Sequence, residues 1–343
     1  MATIKDVAKA AGVSPATVSA VVNNSAYVSP QLRARVLEAV GQLGYAPSQL
    51  ARNFRSGRSE LIAFAAADLS NLFFSRVVCA VETAVAAWGR SLVVFNSDEK
   101  PEAERQILNR VWRLRCEGLI LVPVSGASTA SLREFGGRRV PTVLFGRTVD
   151  DIGPDTVTID NFSASYQVTN YLIDLGHVRI GAITGPQHLS TGRDRFEGMK
   201  AAMSAKGLVL EPRFVQSGEF REEVAYSVAR GIFEQPDRPT ALYVANGAMA
   251  LGVLRAIQDA GMKCPDDISV ASTDNIPGIR GLRPQLTRAE HPIVEMVNES
   301  VRLLMDRINH SAEGEPRNVV FSPTLVVGDS CAPLRTAQPP LQH

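Results

Sequence analysis

The chain has 343 residues, 45% hydrophobic and 21% charged, with a formal net charge of +1; that length exceeds what one core usually holds, and that balance excludes a disordered, collagenous or fibrous chain. The longer uncharged runs, such as 240–254 with Asn246 inside it, are too short to span a bilayer, and the early Lys5, Asp6 and Lys9 fit no secretory signal. Residues 1–60 hold seven Lys and Arg against three Asp and Glu, net +4, and the remainder is net −3, the asymmetry of a basic nucleic-acid module joined to a near-neutral body. A cytoplasmic protein without a membrane span is therefore expected. The four cysteines, Cys79, Cys116, Cys264 and Cys331, show no C-x-x-C spacing and are read as reduced core residues.

The first elements predicted are three short helices. Thr3 caps a helix whose Ile4, Val7, Ala8 and Ala11 recur at helical spacing, with Asp6 in the first turn and Gly12 as the stop. Ser14 then caps a second helix with Pro15 at its first position and Val18, Val21 and Val22 as the buried stripe. The third opens at Ser29-Pro30, points Val36, Leu37, Val40 and Leu43 inward and ends at Gly44. Two helices joined by a short glycine-containing turn and closed by a third describe a helix-turn-helix.

The run Thr3-Ile4-Lys5-Asp6-Val7-Ala8, followed by Gly12-Val13-Ser14 and Ala16-Thr17-Val18-Ser19, resembles the N-terminal signature of the lactose-repressor (LacI/GalR) family of bacterial transcription regulators. Val28-Ser29, Gly44-Tyr45 and Leu50-Ala51-Arg52 extend the match. The resemblance implies a second helix lying in the DNA major groove with Pro15, Ala16 and Ala20 facing base edges. Family members often carry arginine or histidine where this chain has Ala20, so direct readout is expected to be thin and apolar, suited to thymine methyls. Thr3, Ser14, Thr17, Ser19, Asn23 and Tyr27 complete the expected DNA-binding set of the head, with Thr17, Ser19 and Asn23 available for phosphates.

Residues 47–59 read as a linker whose helix-competent part, 47–54, is too short to be helical alone. The resemblance makes it a hinge helix that folds when two copies meet in the minor groove. Phe54 stands where leucine is the usual wedge, with Leu50 and Ala51 beside it and Arg52 and Arg55 flanking the phosphates.

From residue 60 onward, short apolar runs at 61–67, 92–96, 118–124, 142–145, 157–159, 180–184, 241–245 and 268–273 alternate with helical patterns, as in a parallel α/β sheet. A helix between the first two carries Phe74, Val77, Val78, Val81 and Val85 on one stripe. There is no G-x-G-x-x-G after a strand, no phosphate loop, no nucleophile elbow and no metal-ligand spacing among the histidines. Neither a cofactor nor an enzyme is expected.

This body resembles the periplasmic-binding-protein-like core of the same family. The fold class expected is thus an all-α helix-turn-helix head, 1–46, followed by a 60–343 core of two doubly wound parallel-sheet subdomains, one of 60–160 and 291–320, the other of 161–290 and 321–343. A ligand cleft is expected between them at the carboxyl ends of the strands. Its candidate effector-binding residues are Phe73, Phe74, Arg147, Asp160, Ser190, Thr191, Arg193, Arg195, Phe220, Asn246 and Asp274. Mixed guanidinium and carboxylate groups suit vicinal hydroxyls, so a sugar, sugar acid or polyol is expected ahead of a nucleoside. Gly247 stands where many family members have aspartate. Structural readings compete: Arg195 and Asp274 as a hinge ion pair, Phe73 as core.

The tail at 334–343 lacks heptads and contains two prolines, which argues for a homodimer rather than a coiled-coil tetramer. The sequence thus points to a repressor on double-stranded operator DNA, controlled by a small effector. The alternative from another class is a soluble sugar-binding or sugar-processing protein with a vestigial helical head.

Overall fold

The structure is a computed structural model and describes residues 2–45, 59–124, 128–149, 153–274, 283–309 and 314–334. The chain forms two compact units, 1–60 and 61–343.

In the first unit, α1 (Ile4–Ala11), α2 (Pro15–Asn23) and α3 (Pro30–Leu43) enclose Val7, Ala8, Ala11, Val18, Val21, Val36 and Ala39. Thr3 and Asp6 form a reciprocal capping box at the start of α1. Gly12 turns the chain at φ +61°, and a Cβ there would lie 2.7 Å from Arg35 Nη2. That guanidinium donates to Ala11 O at 2.5 Å and so satisfies a carbonyl at the end of α1. A side chain there would strain the turn and displace that guanidinium. Ser14 Oγ accepts from Thr17 N at 3.1 Å and starts α2. Two expected inward residues are exposed: Leu37 is 51% and Leu43 40% accessible, and Ala39 lies inward instead. Leu37 is about 100° around the helix from Val36, and the core ends before Leu43.

The second unit contains, among the described residues, two six-stranded sheets. In the first sheet, β1 (Leu61–Ala66), β2 (Ser91–Asn96), β3 (Gly118–Leu121), β4 (Thr142–Phe145), β5 (Asp155–Ile159) and β11 (Asn318–Phe321) are all parallel, in the order β11-β5-β4-β3-β1-β2. The second runs β12-β10-β9-β8-β6-β7, from β6 (Ile180–Thr184), β7 (Val215–Ser217), β8 (Ala241–Val244), β9 (Ser269–Thr273), β10 (Thr287–Glu290) and β12 (Thr324–Val326), the last antiparallel. Strands buried on both faces explain the continuous apolar runs of β1, β3 and β8.

Helices α4 (Leu72–Ala86), α5 (Pro101–Arg113), α6 (Ser128–Gly136) and α11 (Ile293–Ile308) serve the first sheet; α7 (Asn161–Asp174), α8 (Ser190–Ala205), α9 (Glu222–Phe233) and α10 (Gly247–Asp259) serve the second. The chain passes between sheets after β5, after β10 through His291-Pro292, and between Phe321 and Thr324.

Four strands escaped the sequence reading: β7, β10, β11 and β12. They are short, and β7, β11 and β12 lie at or next to an edge with polar or exposed positions, so they lack an apolar run. β10 buries Thr287 and Ala289 rather than large residues. Cys79, expected in the core, is exposed because it lies off the α4 stripe of Phe74, Val77, Val81 and Val85; Cys264 and Cys331 are half-buried and Cys116 is buried.

Candidate functional site

Strand ends and first helical turns bring one set of residues to a cavity between the two sheets. Asn71 Oδ1 accepts from Phe73 N at 3.0 Å and sets the first turn of α4. That turn presents Phe73 and Phe74, whose rings meet edge to face with centroids 5.3 Å apart. Gly146 and Arg147 follow β4. The Arg147 guanidinium is held bidentately by Glu99 at 2.7 and 2.8 Å and donates to Pro123 O at 3.1 Å.

The other wall is built from α8 and the turns after β7, β8 and β9. Arg195 Nε donates to Asn161 Oδ1 at 2.7 Å and Nη1 to Ala245 O at 2.6 Å. Both acceptors are neutral. Burial lowers the Arg195 pKa, and the nearby Asp274 carboxylate opposes that shift. Asp274 is buried at φ +100°, in the left-handed region. Asn246 Oδ1 caps α10 by accepting from Met249 N at 2.9 Å. Phe220 lies in a left-handed turn with Glu219, and its ring fills the space beside Gly185 that a Cβ would need. The Arg195 guanidinium is 5.9 Å from that ring's centroid.

The cavity encloses about 70 Å³. Phe73, Phe74, Phe145 and Phe220 supply aromatic wall, and Asp68, Glu99, Glu219 and Asp274 face Arg147, Arg195 and Arg221. Charge is therefore nearly balanced. Among the described residues, Arg221 Nη2 donates across the cleft to Asp98 Oδ1 at 3.3 Å and Thr148 N donates to Ser190 Oγ at 3.2 Å.

Of the candidate effector residues, Phe73, Phe74, Arg147, Thr191, Arg195, Phe220, Asn246 and Asp274 line this cavity. Three do not. Asp160 accepts from Ser163 N at 2.8 Å and Ser163 Oγ at 2.6 Å as the cap of α7. Ser190 makes the cross-cleft bond, and Arg193 is exposed and paired with Asp194 at 3.1 Å. Asp68, Glu99, Glu219, Arg221 and His291 line the cavity without having been anticipated. Asp68, Glu99 and His291 closely follow β1, β2 and β10, so the strand-end rule reaches them once those strands are placed.

In the head, Ser14, Pro15, Ala16, Asn23 and Tyr27 are exposed, Thr3 caps α1, and Thr17, Ser19 and Ala20 are half-buried. Their polar atoms are engaged locally: Ser14 Oγ lies 3.0 Å from Thr17 Oγ1, and the Asn23 amide donates to Ser19 O at 2.9 Å. Leu50, Ala51, Arg52, Phe54 and Arg55, and the tail beyond Leu334, lie outside the described residues.

Residues 3–48 match the family described as bacterial regulatory proteins, lacI family, and residues 169–331 match a periplasmic binding protein-like domain. The chain is 32% identical over 338 residues to the HTH-type transcriptional repressor PurR of Haemophilus influenzae (strain PittEE), covering 96% of this chain and 98% of that one. It belongs to the LacI family. PurR of Escherichia coli O139:H28 is likewise 32% identical over 336 residues, covering 97% of each chain. The lac repressor dimer bound to operator and the anti-inducer ONPF superposes with a TM-score of 0.85 at 26% identity, covering 96% of this chain and 99% of that one. The transcriptional regulator CelR–cellobiose complex gives 0.70 at 28%, covering 96% and 100%. This LacI-family chain is a DNA-binding transcriptional repressor with a ligand-binding core, which displaces the reading of a sugar-processing protein with a vestigial head. Among the described residues no helix is long and apolar enough to cross a membrane, and no group of three His, Cys, Asp or Glu could hold a metal.

Proposed function

We propose that the protein acts as a homodimer on a two-fold operator and that its effector is a neutral, flat nitrogen heterocycle of the nucleobase class, in place of the sugar expected from the sequence. The observation that carries this is the cavity wall. Four phenylalanines line the cavity, and polar groups, among them Arg195, Asp274, Asn246 and Thr191, line it with them. A flat ring satisfies such a slot with its faces against aromatics and its edge against the polar groups. A sugar carries a hydroxyl on most of its ring carbons, and each one buried here needs a polar partner. The near balance of carboxylates and guanidiniums favours a neutral molecule over an anion. The similarity to the PurR repressors supports the same class.

Trp88, Val94, Trp112 and Leu114, exposed apolar side chains of the first sheet's subdomain, are candidates for that dimer contact. The relative bound to operator is itself a dimer. Thermal melting of the full chain with hypoxanthine, guanine, adenine, ribose and cellobiose tests the effector class. A nucleobase should raise the midpoint in proportion to the logarithm of its concentration. Stabilisation by a sugar with no response to any base would overturn the reading. Cellobiose is the second candidate because a structural neighbour carries it.

A further inference from the structure

Two polar atoms at the cavity have no hydrogen-bond partner although both are fully buried: Thr191 Oγ1 and His291 Nε2. Buried polar atoms are almost always paired, so an unpartnered one on a residue that lines a cavity points to a ligand contact. Thr191 belongs to the first turn of α8 on the second sheet's side. His291 is different in kind. It lies on the segment joining β10 to α11, where the chain passes from one sheet to the other, and it is 6% exposed.

Its ring meets Phe73 edge to face with centroids 6.0 Å apart, and Phe73 meets Phe74 in turn. A molecule bonded to His291 therefore also touches the aromatic wall of α4.

We propose that His291 is a specificity-determining residue of the effector site and that Nε2 donates its hydrogen to an oxo oxygen on the ligand. This rests on the heterocycle reading of the preceding subsection. The direction of the bond follows from the neighbouring charge. Arg195 is close enough to act electrostatically on His291, and with burial it keeps the imidazole neutral. A neutral ring carries one N–H and one lone pair, so Nε2 must choose a role. Beside a guanidinium the ligand atom facing this corner is an acceptor, because a ligand N–H there would point its positive end toward a cation. An oxo oxygen receives both fields favourably; an exocyclic amino group receives neither. The site thus discriminates an oxo-substituted ring from its amino counterpart, and the reading residue sits on a hinge segment rather than on either wall.

The test is calorimetric, on the full chain, with hypoxanthine, adenine, ribose and cellobiose, for the wild type, His291→Leu and His291→Gln. The wild type should favour hypoxanthine over adenine at least tenfold. His291→Leu should weaken hypoxanthine about tenfold, the loss of one hydrogen bond, and reduce the preference to threefold or less. His291→Gln, which retains an N–H donor, should keep most of it. Equal melting midpoints of ligand-free wild type and variants separate recognition from folding, and if the His291→Leu substitution impairs folding, the glutamine variant and the wild-type preference still decide. An unchanged preference in His291→Leu overturns the proposal. If ribose or cellobiose binds and neither base does, the heterocycle reading fails alone; His291 keeps its role as reader only if His291→Leu weakens that sugar about tenfold and His291→Gln restores it. Binding of none of the four overturns both.

Discussion

The head and the core are built by opposite means. In the head, the candidate DNA-contacting side chains are small and largely exposed, and Ser14, Thr17, Ser19 and Asn23 hydrogen-bond among themselves. In the core, the cavity is lined by aromatic and charged side chains, Arg147, Arg195 and Asp274 among them buried, and Thr191 and His291 there each carry a buried polar atom without a hydrogen-bond partner. A surface that satisfies itself can separate from and return to DNA at little cost. A ligand that binds such a cavity more tightly in one core conformation than in another shifts the population toward it.

The largest effect expected from this contrast is at Arg195. Replacement by alanine leaves Asn161 Oδ1 and Ala245 O without their donor and Asp274 without its nearby cation. The core should lose about 3 kcal/mol or more, measured by urea denaturation of the full chain, while amide exchange in α1–α3 stays at wild-type rates. A head that loosens together with the core would break the comparison.

A smaller and opposite effect is expected at Gly12. Alanine there must adopt φ +61° and push the Arg35 guanidinium away from Ala11 O. A cost of about 1 to 2 kcal/mol should speed amide exchange across α1 and α2 by roughly 5- to 30-fold. Operator binding should weaken, and effector affinity should not move.

A third effect, and the one that sharpens the contrast, is the dependence on acid. Burial, aided by Arg195, lowers the His291 pKa to about 3, and burial lowers that of His177. Because the unfolded chain takes up those protons near 6.5 and the folded core does not, core stability is full above about pH 6.5 and falls progressively as pH drops toward 3. The head has no histidine among residues 1–60. Its shifted carboxyl, Asp6, is lowered by hydrogen bonds from Thr3, so its contribution persists above the ordinary value of 3.8 and is lost only as pH falls below that. Circular dichroism for the core and amide exchange for the head should separate the two between pH 6.5 and 4. His291→Gln should flatten the core's slope.

The sequence carried the local decisions. Thr3, Ser14-Pro15 and Gly12 announce helix ends because caps act within a few residues of themselves. The buried strands of both sheets are visible as apolar runs because a strand covered on two faces needs nothing else. Even the cavity's general place could be read, since Arg147, Asn246 and Asp274 follow strands. Tertiary structure decided which way each residue after a strand turns. Asp160 follows β5 as Asp274 follows β9, yet one caps its own helix and the other lines the cavity from a left-handed backbone conformation. The pairing of Glu99 with Arg147, 48 residues away, depends on the strand order of the first sheet, and the surroundings of His291 depend on two sheets meeting. No local pattern encodes a hydrogen bond that is missing.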